Sequence, residues 1–487
     1  MVSIMCGVLG ISLKNQNDIS KISLSELTVQ CLGRLQHRGQ DAAGMSVLTS
    51  DLKFETCKGL GLISEALKDR ESLPKSWVSV AHTRYATTGT GGVAEVQPFV
   101  KGLPKIALAH NGNIVNCAEL IEKFKLIVET ESDLDVLQQF LLKGLSEGTF
   151  EKAVQGVFDE FNGSYAVVGI LTDGSLFAFR DPYGIRPLFL GESHDLFVFA
   201  SETSAISPLG VDVKVSELVP GEWMRIQNSK VERGVLKSKR NPQAKKKFCM
   251  FENVYFSSPQ SEIGGSSVYR LRFRLGEVLA QEIVEEWGSK ERVAEQIDYV
   301  VPVPDTSRTA ALATAERLGI PYREFLVKNS YVSRTFILGK QEQRLKALGQ
   351  KLSLIGPEIR DKKILLVDDS VVRGNTSRMM ALRLREAGAA SIFLASTCPP
   401  IRHGCFYGID FPDPEELVAY QRSITEISKN LGVDGLHYIS IEGLKAAFES
   451  QDFCLACLDG NYPTKDESFA KFLSSRRRQR DGNVEVQ

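Results

Sequence analysis

The segment ILLVDDSVVRGNTS (364–377) constrains what this chain can fold into more than any other. An apolar run ends in two adjacent carboxylates, passes through a short loop with Gly and hydroxyls, and enters a helix-forming stretch. An apolar strand followed by a helix belongs in a parallel sheet covered on its faces. At the carboxyl end of such a strand, the loop feeds a helix N-terminus whose free N–H groups and dipole favour an anion. Gly374 lets the backbone approach a ligand closely, and Thr376 and Ser377 add hydroxyl donors. Asp368 and Asp369 alternate in direction and can meet ribose hydroxyls or a hydrated divalent ion. An isolated Asp pair would read as a plain strand–helix loop; the length of the string sets this one apart.

The same alternation surrounds it. DYVVPVP (298–304) precedes ALATAERLG (311–319), and KILLVDD (363–369) precedes SRMMALRLREAG (377–388), so a parallel α/β sheet is predicted here. The first half reads differently, as short apolar runs broken by Gly, Asn and Asp: 6–13, 77–85, 105–115, 164–171, 175–180 and 196–201. Two helix-like segments interrupt them, near 22–35 and 132–146. Strand runs with few helices suggest layered sheets covered by helices. Between the halves, KSKRNPQAKKK (237–247) is basic, holds a Pro and lacks an apolar face, and reads as a solvated linker. The tail from 474, SSRRRQRDGNVEVQ, reads as disordered. With 487 residues, two or three domains are expected.

A net charge of −1 gives no global field to recruit nucleic acid. No run of ~18 apolar residues appears, so no membrane-spanning helix is expected. MVSIMCGVLG lacks the basic start and long apolar core of a signal peptide, which places the protein in the cytoplasm. Nine cysteines, an odd number without export signals, argue against a disulfide framework and leave core fillers, metal ligands or nucleophiles.

The 364–377 string resembles the phosphoribosyl pyrophosphate (PRPP) signature of type I phosphoribosyltransferases. That resemblance implies PRPP contacts from Asp368, Asp369, Ser370, Arg373, Gly374, Asn375, Thr376 and Ser377. It also implies Mg²⁺ near Asp368, Asp369 and Thr306, the last in VPVPDTSRTAA (301–311). VKNSYVSRTFI (327–337) matches the stretch that closes over PRPP, with Lys328, Tyr331 and Arg334; on residues alone it reads equally as a solvated loop. Closure would keep water from an electrophilic ribosyl carbon.

Cys6 opens an apolar strand, and alone would read as a buried strand cysteine. LGRLQHRGQDAAG (32–44), AHTRYATTG (81–89), LAHNGNIVN (108–116) and TESD (130–133), in that order, resemble the N-terminal-nucleophile glutaminase domain of glutamine amidotransferases. The resemblance implies Cys6 as nucleophile with its own α-amine as base, and Asn111 and Gly112 as the oxyanion hole. Arg84 and Asp133 would bind the α-carboxylate and α-ammonium of glutamine. His82 and His110 read as hydrogen-bonded scaffold. A free amine on Cys6 requires residues 1–5 to be absent from the active protein, by cleavage or by starting at Met5.

FCLACLDG (453–460) contains Cys454 and Cys457 in a CxxC, a spacing that on its own suits zinc, an iron–sulfur centre, redox chemistry or chance. With Cys249 and Cys405 these positions match relatives that carry a 4Fe–4S cluster. Cys31, Cys57, Cys117 and Cys398 read as small core or surface residues.

The likeness runs from about residue 5 to 463 and, at that extent, resembles the amidophosphoribosyltransferases. It implies an α/β plus α+β chain: an N-terminal-nucleophile αββα sandwich (6–236), a linker (237–258), a phosphoribosyltransferase domain (259–463) and a disordered tail (464–487). Glutamine and PRPP would be the substrates, purine nucleotides the feedback inhibitors, and a homodimer or homotetramer the assembly. An enclosed passage walled by 327–349 would carry ammonia. Two rival readings fit less: a PRPP-sensing regulator lacks the glutaminase half, and a glucosamine-phosphate synthase lacks the VDDSVVRG string.

Overall fold

The computed structural model describes residues 5–85, 92–103, 105–329, 352–409, 411, 414–448 and 452–464. The first half holds two antiparallel sheets. Their strands are β1 (Gly7–Leu13), β2 (Ala42–Leu48), β3 (Phe54–Leu60), β4 (Val78–Arg84), β5 (Phe99–Lys101), β6 (Ile106–Ile114), β7 (Gly163–Leu171), β8 (Leu176–Arg180), β9 (Phe189–Glu192), β10 (Leu196–Ala200), β11 (Lys214–Glu217), β12 (Glu222–Gln227) and β13 (Lys230–Val235). One sheet runs β11-β9-β10-β1-β4-β2-β3 and the other β13-β12-β8-β7-β6-β5. Their inner faces pack directly: a Cβ on Gly10 would lie 2.5 Å from Val168 Cγ1, so only glycine fits where the layers come closest.

Helices cover the outer faces. α1 (Leu24–Gly33) lies on the seven-stranded sheet, where the Thr28 and Ser79 hydroxyls are 2.7 Å apart. α4 (Asp133–Glu147) lies on the other, where Gln138 Nε2 donates to the carbonyls of Phe99 and Ile106. This is the αββα sandwich that the strand runs and the two periodic segments predict.

The second half is built on four parallel strands in the order Tyr299–Pro302, Lys363–Asp368, Ser391–Ser396 and Gly435–Tyr438. Helices Val268–Trp287 and Arg308–Leu318 pack tightly together, for a Cβ on Gly276 would sit 2.1 Å from the Ala310 carbonyl oxygen. On the other face, helices Asn375–Glu386 and Ile424–Leu431 close a separate apolar core with Leu366, Leu394 and Leu436. Among the described residues no helix is long and apolar enough to cross a membrane.

Two boundaries differ from the expectation. The basic run is followed by chain that is no linker: Phe248, Cys249, Met250, Phe251, Glu252 and Asn253 are all buried, and Glu252–Phe256 forms one π-helical turn. The aromatic density of FCMFENVYF is that of a core, and it fills the seam between the halves. Within the basic run, Lys239 N–H donates to Asp159 at 2.8 Å and Lys247 N–H to the Tyr183 carbonyl at 2.8 Å, so both ends are docked. Thr464, assigned to the tail, is buried; its N–H donates to the Tyr407 hydroxyl and its carbonyl accepts from Asn162. Residues 465–487 lie outside the described residues.

Candidate active sites

Cys6 stands at the mouth of β1, beside the end of β4 and the start of β10's neighbouring loop. Its thiol points at the Tyr85 carbonyl, 3.9 Å away. Burial pushes the thiol's pKa up and nearby Asp133 adds to this, while the Tyr85 contact, Arg84 and Arg38 pull it down; the net direction is up. A resting thiol therefore needs a base before it can attack.

Of the other predicted glutaminase residues, Arg84 and Asp133 lie close enough to act on the thiol's charge. Asn111, on β6, is 2% exposed, and its Nδ2 has no hydrogen-bond partner among the described residues. A buried amide donor left unmade is costly, and marks a place where an acceptor is to arrive. Gly112 follows; any Cβ there would fall 2.0 Å from the Ser164 carbonyl oxygen, so the strand passes only as glycine. Asp133 opens α4 behind its cap Ser132. Burial alone would raise this carboxyl's pKa, but His110 and the amides of Ile114 and Leu134 hold it below the usual range. Arg84 is buried and pairs with Glu95 at 2.7 Å, so an incoming carboxylate must compete with that residue.

His110 is scaffold as expected, held by Gln97 and Asp133. His82 is fully buried beside the His110 backbone, and burial, with His110 and Arg84 nearby, keeps it neutral.

The second site lies at the carboxyl ends of neighbouring parallel strands. Asp368 and Asp369 are both 7% exposed. Asp368 Oδ1 accepts from the Asp369 N–H, and Asp369 Oδ1 from the Ser370 hydroxyl. Burial, followed by the repulsion of Asp369, raises Asp368 well above a carboxylate's usual range. Burial lifts Asp369 to about 6 against the pull of Ser370 and Arg272. Two buried carboxylates so disfavoured as anions suit a cation.

Gly374, φ +75°, caps helix Asn375–Glu386, which begins two residues before its expected start. Ser377 is buried in its first turn, with Asn375 and Thr376 partly exposed. Arg373 is turned to Glu416 at 3.1 Å. Thr306 lies in the loop after the adjacent strand, and Lys328 pairs there with Asp305. Tyr331, Arg334 and most of 327–349 lie outside the described residues.

The four cysteines expected as cluster ligands share one buried neighbourhood. Cys249 and Cys454 are register partners in a short parallel ladder, Cys457 follows within one turn, and Cys405 receives the Tyr407 N–H at 3.3 Å. Burial raises the thiols of Cys249, Cys454 and Cys457, and each senses Cys405 as a further neighbour. Among the described residues no three His, Cys, Asp or Glu side chains are already gathered to hold a metal ion.

Comparison with known proteins agrees with the two-domain architecture. A glutamine amidotransferase domain model matches residues 82–208 and a phosphoribosyl transferase domain model residues 268–405. An amidophosphoribosyltransferase of Haemophilus influenzae is 37% identical over 99% of this chain and 97% of its own length. That of Methanocaldococcus jannaschii is 38% identical over 96% and 99%. The chain belongs to the amidophosphoribosyltransferase family.

The solved glutamine PRPP amidotransferase of Bacillus subtilis, in complex with ADP and GMP, superposes with a TM-score of 0.82 at 36% identity, covering 94% of this chain and 98% of that one. Like its relatives, this amidophosphoribosyltransferase carries out glutamine-dependent amidotransfer to PRPP, yielding 5-phosphoribosylamine, pyrophosphate and glutamate in purine biosynthesis.

Several residues that organise the amidophosphoribosyltransferase sites escape sequence reasoning. Arg38 is wholly buried, with Nε 2.5 Å from Glu202, Nη2 2.5 Å from Glu252 and Nη1 3.5 Å from the Cys6 carbonyl. Arg186 joins Glu252 at 3.3 Å and also meets the Met5 sulfur. Arg272 donates to the carbonyls of Asn253, Tyr255 and Ser257 and lies in the field of Asp369. Arg38 and Arg186 lie in strings that resemble the family, but nothing in their spacing reveals that their partners come from the far end of the chain.

Proposed function

We propose that Cys6, as first residue of the active chain, attacks the side-chain carbonyl of glutamine, with its own α-amine taking the thiol proton. That amine has a reference pKa of about 7.7–8.0, so roughly a sixth is neutral at pH 7. Met5, buried against Arg186, is the residue whose departure frees it. The Asn111 Nδ2 and Gly112 N–H receive the oxyanion, Arg84 and Asp133 hold the amino-acid end, and collapse expels ammonia. Water then releases glutamate from the thioester. The buried Asn111 Nδ2, left without a partner among the described residues, is the observation that carries this reading.

Labelling with a diazoketone glutamine analogue tests it. The adduct should map to a peptide that begins at Cys6. An adduct on another cysteine, or an active chain that still begins at Met1, overturns it.

In the second half, ammonia's lone pair displaces pyrophosphate at C1 of PRPP. Asp368 and Asp369 hold the ribose hydroxyls and, with Thr306, Mg²⁺; the loop from Ser370 and Arg373 through Gly374, Asn375, Thr376 and Ser377 holds the 5-phosphate. The ion supplies positive charge to the pyrophosphate as it leaves. Lys328, at the described start of the segment expected to close over PRPP, neutralises the pyrophosphate end; Tyr331, Arg334 and the rest of that segment lie outside the described residues.

Cys249, Cys405, Cys454 and Cys457 hold a 4Fe–4S cluster of structural role, supported by the burial of Cys249, Cys454 and Cys457, their nearness to Cys405, and the ladder between Cys249 and Cys454. The domain limits remain those of the sequence reading, with 248–258 moved from linker to core. The enzyme works in the cytoplasm as a homodimer or homotetramer, and purine nucleotides inhibit it at or near the PRPP site. The nucleotides bound to the Bacillus relative support that inhibition.

Metal removal separates the two metal assignments. Chelating Mg²⁺ should abolish turnover with both glutamine and ammonia, and adding it back should restore both. Oxygen exposure should bleach a brown protein and lower its melting temperature irreversibly. Anaerobically prepared protein that is colourless and free of iron would refute the cluster.

A further inference from the structure

We propose that Cys405–Ile409, a segment of the phosphoribosyltransferase half, is a built part of the glutaminase site: a strap that fixes the oxyanion-binding stretch of β6. The proposal rests on the reading of Asn111 and Gly112 given above and assigns positioning roles to Asn113 and Gly408.

Four contacts carry it. Asn113 Nδ2 donates to the Phe406 carbonyl at 2.9 Å, across 293 residues of chain. The Ser164 hydroxyl, on the β7 strand paired with β6, donates to the Tyr407 carbonyl at 2.9 Å. Arg186 Nε donates to that same carbonyl at 2.7 Å. Gly408, φ +98°, lies so close that a Cβ there would sit 2.8 Å from the Gly112 carbonyl oxygen and 3.3 Å from its Cα.

Gly112 is therefore boxed in. On one side a Cβ of its own would strike the Ser164 carbonyl; on the other stands the strap. Only two more residue pairs follow Gly112 and Tyr165 before the β6–β7 ladder ends at Ile114 and Gly163, so the sheet alone holds this end of the strand weakly. The strap supplies the missing wall. It is anchored in turn by the Tyr407 hydroxyl at Thr464 and by Arg186, which also binds Glu252. An oxyanion donor is effective only where it is fixed before the charge forms, and a shift of about 1 Å near reacting groups costs on the order of 100-fold in rate.

The test uses Gly408→Ala and Asn113→Ala in the full-length enzyme, assayed with glutamine and with ammonia. Both variants should lose roughly 10- to 100-fold in glutamine-dependent kcat, with little change in KM for glutamine. Ammonia-dependent turnover and KM for PRPP should stay at wild-type values. Alkylation of Cys6 by iodoacetamide should keep its wild-type rate, since that reaction forms no oxyanion.

If Gly408→Ala does not fold, Asn113→Ala decides alone. Unchanged glutamine-dependent kcat, or a loss shared equally by the ammonia route, overturns the strap. Glutamine-dependent turnover surviving in Cys6→Ala would instead remove the reading beneath it, so the two failures are distinguishable.

Discussion

Replacing Cys6 by alanine should lower glutamine-dependent synthesis of phosphoribosylamine by roughly 10⁴-fold or more, the scale on which removing a covalent nucleophile acts. Ammonia-dependent synthesis should stay near the wild-type rate. The asymmetry follows from where the chemistry sits. The thiol forms the only bond to glutamine, and neither its burial nor its neighbours touch the Asp368–Asp369 loop. A serine in its place should fare little better, because the thiol's pKa is already raised here and a hydroxyl is a far weaker acid. The measurement is pyrophosphate release with each nitrogen source at saturating PRPP. Equal loss with both sources would mean that Cys6 supports the fold rather than the reaction.

The second large effect is on stability. Glu202→Ala should cost about 3–5 kcal/mol, the usual consequence of removing one partner from a buried ion pair. Glu202 is wholly buried and accepts from Arg38, His37, Ser204, Ser261 and the Ser258 amide. Its loss leaves Glu252 as the only carboxylate on Arg38 among the described residues and strands two hydroxyls and an amide at the seam.

The pH dependence has a definite sign. Burial would raise the Glu202 pKa, but Arg38 and His37, with hydrogen bonds from His37 and Ser261, hold it far below the unfolded value. A carboxyl depressed on folding stabilises above its unfolded pKa of about 4.3 and loses that contribution as the pH falls. The wild type should thus lose stability steeply on acidification below about pH 4. Glu202→Gln, which cannot ionise, should start less stable at neutral pH and show a shallower acid limb. Urea unfolding at a series of pH values reads both; parallel acid limbs in the two proteins would show that Glu202 carries no such linkage.

Local pattern carried much of this architecture. The alternation of apolar strand and helix around 298–388 is read directly as a parallel sheet, because each strand buries both faces and each helix one. The strings around Cys6, Arg84 and Asp133 mark residues that the fold brings within reach of one another's charge. The seam was hidden for a physical reason. Glu252 is an ordinary acidic residue in sequence, and only the arrival of Arg38 from 214 positions away makes it a buried counter-ion. Arg84 was legible as a carboxylate binder, whereas its resting partner Glu95 was not, since no short-range rule pairs them. The 248–258 stretch follows a basic run that reads as linker, yet Phe248–Asn253 are buried, because partners distant in the chain close over them.

The single π-helical turn Glu252–Phe256 has a consequence for how such an enzyme can be divided. Its first residue neutralises Arg38 beneath the nucleophile, and its carbonyls seat Arg272 within the field of Asp369. Cutting the chain between the two catalytic halves would not yield two independent modules. A cut before the turn would leave Arg38 with half its counter-charge, and a cut after Ser257 would strip Arg272 of its acceptors, so on either side the turn would have to be rebuilt before a half could be handed to a new fusion partner.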